Sequence, residues 1–188
     1  MNARNEPNGQ ISTQAAFQIL RALYPPNMMV HVGWGNGLGE LTQWTDWDIP
    51  FAFVIEAEEG KVETCRASAV SPEDGQNKER WQTLHAILAE RKLEKSYYHA
   101  SNPSESGQLP AESLQHAWPH LQTLANQAVV TSSLDEIWFE IATQLPQTNS
   151  DLSTWLIIDC LPASDILAGG VEMLQTAYVV SVPPSSQA

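Results

Sequence analysis

Three short runs in this chain are apolar at almost every position: Met28-Met29-Val30-His31-Val32, Phe51-Ala52-Phe53-Val54-Ile55 and Trp155-Leu156-Ile157-Ile158. Runs of this length, bounded by turn residues, read as buried strands, and strands without a polar face belong to sheets covered on both sides. Stretches with helical spacing lie between them. Ile11 to Leu23 sets Ala16, Ile19, Leu20 and Leu23 on one face after a Ser12/Thr13 cap, and Pro25-Pro26 stops the helix. Leu38 to Trp44 and residues 60–70 read as two further helices. Ser132 or Ser133 caps another, running through Ala142, with Asp135 and Glu136 in the first turn, where the helix dipole favours carboxylates. Residues 163–175 are helical with a break at Gly169-Gly170, and Ala177 to Val182 forms a last strand. Strands alternating with helices predict an α/β, Rossmann-like domain: a mostly parallel, doubly wound sheet with helices on both faces.

The middle of the chain is less regular. Trp81 to Leu88 and Ser96 to Ala100 read as strands joined by the charged stretch Glu90–Lys95, although Leu84, Ile87 and Leu88 also satisfy a helical period. Leu109 to Leu124 reads as mostly helical, interrupted at Pro119, and Ala128 to Thr131 as a short strand. Ser71 to Gly75 is a loop by composition. The domain is expected to span 11–182, with a disordered start at 1–10 and a linker or frayed end at 183–188. Residues 28–182 are expected to form one sheet, with the first strand central.

Charge narrows the function. The formal net charge is −13; all nine Lys and Arg lie at or before Lys95, leaving nine Asp and Glu and no Lys or Arg in residues 96–188. A nucleic-acid or anionic-membrane partner requires a basic footprint, and none can be assembled here. A solvated acidic surface is the plain reading, with a basic partner protein as the alternative. The start of the chain lacks the apolar core of a secretory signal, and no run approaches the ~20 apolar residues of a membrane span. Cys65 and Cys160 lie far apart, without metal or redox spacing, and read as free thiols. The expected location is cytoplasmic.

The strongest local feature follows the first strand: His31-Val32-Gly33-Trp34-Gly35-Asn36-Gly37-Leu38-Gly39-Glu40. Glycines after a strand allow a sharp turn and bring bare backbone N–H groups against a ligand. The spacing is GxGxG, without the GxxG offset of the dinucleotide fingerprint, so a nucleotide-sugar or NAD domain fits less well. Glu56 ends the second strand, 19 residues beyond Gly37, where doubly wound folds place an acid that accepts from ribose hydroxyls. As a strand-end carboxylate it is expected to be solvent-accessible. Asp159 ends the strand at 155–158, on the edge where open α/β sheets bind ligands. The five histidines are scattered, without a metal spacing, and Ser104 and Ser106 lack the context of a nucleophile. The Trp44-Thr45-Asp46-Trp47-Asp48 cluster either lines a pocket or covers the sheet.

These segments, in this order, resemble the FkbM-type methyltransferases, which bind S-adenosylmethionine (SAM) on a class I methyltransferase fold. His31 to Gly37 is similar to that family's "hvGAgxG" loop, and Val54-Ile55-Glu56-Ala57 to its "viEa". Tyr98 to Asn102 with Ser104 and Ser106 resembles its "asN" segment, Trp118-Pro119-His120-Leu121 its "fPgl", and Val130 to Asp135 its "vpttLDel". Leu156 to Asp159 through Gly169 resembles "lKiDvEGaExxvLkG". The resemblance implies SAM as cofactor, held by His31, Gly33, Trp34, Gly35, Asn36, Gly37, Glu56 and Ala57, and no metal. It implies methyl transfer to an oxygen of a sugar or small metabolite, with Asp159 as general base and His99 behind it. Partners would be a small-molecule substrate, with a homodimer or neighbouring domains of a longer chain left open. The chain departs from the pattern at Trp34, which replaces a small residue, and at Cys160 to Ser164, where "vEGaE" is absent. His31 stands where class I enzymes often carry an acid. These departures leave a second reading open: a catalytically degenerate scaffold domain of a larger polysaccharide-biosynthesis protein.

Overall fold

A computed structural model describes residues 13–34, 43–68, 81–145 and 152–182. The expected termini, the loop at 71–75 and residues 35–42 of the glycine turn and its helix lie outside them. The elements are α1 (Thr13–Leu23), β1 (Met28–Val32), β2 (Phe51–Glu56), α2 (Glu59–Ser68), β3 (Trp81–His85), β4 (Glu94–Ala100), β5 (Thr123–Val130), α3 (Leu134–Gln144), β6 (Thr154–Ile158), α4 (Ala163–Ala168), α5 (Val171–Thr176) and β7 (Ala177–Ser181). The main sheet has five strands in the order β3-β2-β1-β6-β7, all parallel. This is an α/β, Rossmann-like fold.

β1 is central and buried along its whole length. Alternation sends its side chains to two cores. Met28, Val30 and Val32 join Phe53, Ile55, Leu156 and Ile158 under α3, α4 and α5. Met29 packs on the other face with Ala52, Val54, Trp155, Val179 and Cys65, against Phe17 and Leu20 of α1. The tryptophan cluster closes this second face. Trp44 meets Trp81 edge-on at 6.2 Å, Trp47 meets Trp155 at 5.8 Å, and Arg21 lies over the Trp47 ring.

α3 begins as expected and fixes which serine caps it. Ser133 Oγ accepts from Glu136 N–H, while the Glu136 carboxylate accepts from Ser133 N–H, a reciprocal capping box. Asp135 turns outward, and its two oxygens accept from the N–H groups of Glu172 and Met173, serving the first turn of α5, whose own cap is Gly170. The break at Gly169-Gly170 separates α4 from α5, in the expected place.

The middle of the chain corrects two expectations. β4 and β5 do not enter the main sheet; they form a separate antiparallel hairpin, so 28–182 is not one sheet. β5 is exposed at most positions and lacks the second apolar face that a place inside a parallel sheet demands. The segment 109–124 is not mostly helical. It holds one short 3-10 turn, Ala111–Leu114, and strand begins at Thr123. Pro110 and Pro119 each lack the N–H that a continuous helix uses, which confines helical geometry to the residues between them. The strand beginning at Trp81 ends at His85 rather than Leu88, and the strand expected at 128–131 starts five residues earlier.

Candidate functional site

The carboxyl ends of β2, β1 and β6 lie side by side, and the chain crosses there in close contact. Asp159 N–H donates to Val32 O at 2.8 Å and Gly33 N–H to Ile55 O at 2.9 Å, which carries the ladder one residue past each strand. Gly33 has φ +86°, and a Cβ built on it would sit 2.9 Å from the Asp159 carbonyl oxygen. Both the backbone conformation and the space therefore require glycine here.

A narrow cleft opens at this edge. Gly33, Glu56, Ala57 and Asp159 line it, joined by Lys61 of α2 and by Tyr97 of the hairpin. Glu56 and Asp159 thus share one end of the sheet, as the order of segments predicts. Glu56 is not the exposed strand-end acid expected of it: it is 4% exposed. Its Oε2 accepts from Trp34 N–H at 2.7 Å and its Oε1 from Glu58 N–H at 2.9 Å. The carboxylate is thus held between one backbone donor of the glycine turn, Trp34 N–H, and one of its own β2–α2 loop, Glu58 N–H. A carboxylate has about four acceptor sites, and the described residues fill two of them.

The other expected binders separate. The ring of His31 points into the second core, not the cleft. It is 1% exposed, meets Trp44 edge-on at 5.5 Å, and its Nδ1 has no hydrogen-bond partner. Burial pushes the His31 pKa down to about 4. Trp34 is also in this core, and its N–H rather than its ring serves the site. The reason is strand alternation, which sends position 31 to the face opposite Val30 and Val32. Gly35, Asn36 and Gly37 lie outside the described residues. His99 sits on β4 with its ring 5.4 Å from that of Tyr97, and Tyr97, not His99, reaches the cleft.

Several cleft residues were not singled out by sequence. Lys61 Nζ donates to Glu58 Oε1 and to Pro103 O, each at 3.0 Å, tying α2 to the segment 101–107 above the cleft. Tyr97 O–H donates to Glu58 Oε1 at 3.3 Å. Ser106 Oγ accepts from Ala100 N–H, Asn102 caps the turn at Pro103–Glu105, and Gln108 Nε2 donates to Leu88 O. Only Ser104, Ser106 and Asn102 carried a signal, through the family segment. Lys61 reaches the cleft from α2, and Tyr97 and Gln108 reach it because β4 and the residues after it fold over the sheet edge, which no local pattern encodes.

The cleft is electrostatically negative. Burial and then the Asp159 charge hold the Glu105 carboxyl above its usual range, partly offset by Lys61. Burial pushes the Cys160 thiol up to about 12, with Glu56 and Asp159 adding to the shift, so it remains protonated and is a poor nucleophile at neutral pH. Burial also raises the Tyr97 hydroxyl, helped by the charges of Glu58 and Glu56. Among the described residues no group of three His, Cys, Asp or Glu is gathered for a metal ion, and no helix is long and apolar enough to cross a membrane.

Gly33, an acid ending β2 and an acid ending β6 meet at the edge where open α/β sheets hold a ligand, but both described turn amides are already bonded, Gly33 N–H to Ile55 O and Trp34 N–H to Glu56. The space does not yet suit a nucleoside. The cleft bounded by the described residues holds about 60 Å³, against the roughly 300–1,000 Å³ of small-molecule sites. Compared with protein-family models, with characterised proteins and with solved structures, the chain matches none.

Proposed function

We propose that this cleft is a SAM site and that the chain is an FkbM-type, SAM-dependent O-methyltransferase acting on a sugar or small metabolite. One observation carries the reading: Gly33, Glu56 and Asp159 converge at the carboxyl ends of three adjacent parallel strands, the edge where open α/β sheets hold ligands. SAM, when bound, supplies an electrophilic methyl group. The chain's own part is to hold and align the reactants, which can contribute roughly 7–11 kcal/mol toward the barrier. Glu56 offers its remaining acceptor capacity to ribose hydroxyls, while Trp34 N–H of the glycine turn and Glu58 N–H of its own loop hold the carboxylate in place. Asp159, exposed at the cleft, accepts the proton of the acceptor hydroxyl, with His99 in the wall behind Tyr97.

A specific observation favours the second reading, a non-catalytic scaffold of a larger polysaccharide-biosynthesis protein. Glu56 already serves two backbone donors, and the cleft must widen before a nucleoside enters. Calorimetric titration of the wild type with SAM and S-adenosylhomocysteine separates the two. Saturable binding that Glu56→Ala weakens by at least about tenfold supports the SAM site, because hydrogen bonds to a charged acceptor contribute roughly 1.5–3 kcal/mol each. Absence of binding in a folded wild type makes the scaffold the better account.

A further inference from the structure

We propose that the free edge of β7 is a docking site for an extended segment flanked by Lys or Arg, which adds to the main sheet as a sixth strand. β7 ends the strand order, and no described residue pairs with its outer edge. The run Ala177-Tyr178-Val179-Val180-Ser181-Val182 contains no charge, no proline and no glycine. Natural edges are protected by charges, prolines, bulges or a covering element; here, among the described residues, the one such device is a register shift that leaves Tyr178 without a partner on β6. The opposite edge shows the difference: Lys78, Glu79 and Arg80 immediately precede β3, whose Trp81 and His85 rings bond back to Ile49 O and Ala57 O.

Side-chain exposure follows the same logic. Val179 is buried in the second core, whereas Tyr178, Val180 and Val182 are 58%, 42% and 43% exposed. Three alternate apolar side chains therefore stand open beside a ladder that no described residue pairs, the arrangement that strand addition uses: backbone bonds for affinity and alternate side chains for specificity.

Charge selects the occupant. Residues 96–188, which hold β7 and the helices α3, α4 and α5, contain nine acids and no Lys or Arg, and Glu172 is exposed on the helix leading into β7. A second copy would bring the same acidic half against this one, with −13 on each chain. A strand with basic flanks meets complementary charge instead.

The test uses the full chain and two labelled synthetic peptides with the same Val-Thr repeat, one flanked by lysines and the other by glutamates. Fluorescence anisotropy should show binding of the lysine-flanked peptide that weakens at least about tenfold between low and about 0.5 M salt, with no binding of the glutamate-flanked one. Val180→Lys, or Tyr178→Lys if the first variant fails to fold, should weaken binding at least about tenfold. Asn126→Lys, on the exposed edge strand β5, should leave it unchanged. The proposal is overturned if the lysine-flanked peptide does not bind, if both peptides bind equally, or if Asn126→Lys removes the binding instead. Sedimentation of the wild type as a dimer that Val180→Lys dissociates would give the edge to a second copy and also overturn it.

Discussion

β1 and β5 are both uncharged strands, yet they occupy opposite extremes of the molecule. Every residue of β1 is buried, between parallel neighbours on both sides and helices on both faces. β5 has one antiparallel partner and is exposed at six of its eight positions. A parallel strand at a sheet centre cannot exist without its surroundings, whereas an antiparallel strand can pair with one neighbour and leave a face to solvent. The first is thus held by packing on both faces, the second by its pairing with β4 across the intervening residues 101–122. Stability should be concentrated in the main sheet, while the hairpin contributes the wall that closes the cleft.

The largest effect should come from emptying the central packing. Trp155 is fully buried, donates through Nε1 to Tyr24 O at 2.9 Å, and packs against the Phe17 and Trp47 rings. Trp155→Ala should cost roughly 3–5 kcal/mol in denaturant unfolding. Leu124→Ala, at a β5 position 68% exposed, should stay within about 0.5 kcal/mol. Similar losses at the two sites would break the contrast.

Acid should act on the same core through His31. Its folded pKa is about 4, below the unfolded value near 6.5. Below pH 6.5 the unfolded chain takes up a proton that the folded chain refuses, so stability falls as pH drops from 6.5 to 4. The full loss is about 3 kcal/mol, with no contribution from this group above pH 6.5. His31→Phe should remove that part of the pH dependence, measured by chemical unfolding at several pH values. An unchanged slope in the variant would show that the imidazole is not buried as described.

Legibility in the sequence follows the same contrast. The runs at 28–32, 51–55 and 155–158 declare themselves because burial on both faces leaves only apolar choices, and they locate the sheet order's centre and its carboxyl edge. Thr123 to Val130 carries no such constraint, since solvent accepts Asn126 and Gln127 as readily as Ala128, and half of that strand reads as something else. At the site, Gly33, Glu56 and Asp159 could be placed because each ends a recognisable strand. The folding of Glu56 onto Trp34 N–H and Glu58 N–H could not, because it depends on how the turn presents its amides. The role of Tyr97 was equally hidden, since it reaches the cleft only through the position of the hairpin.

The proposed SAM site is tested most directly by following backbone amides in a ¹⁵N-labelled sample as SAM is added. It predicts saturable shifts concentrated at Gly33, Trp34, Glu56, Ala57, Glu58 and Asp159, with Leu124 to Val130 of β5 unmoved. Shifts gathered elsewhere on the molecule, or none at millimolar SAM in a folded sample, would contradict it.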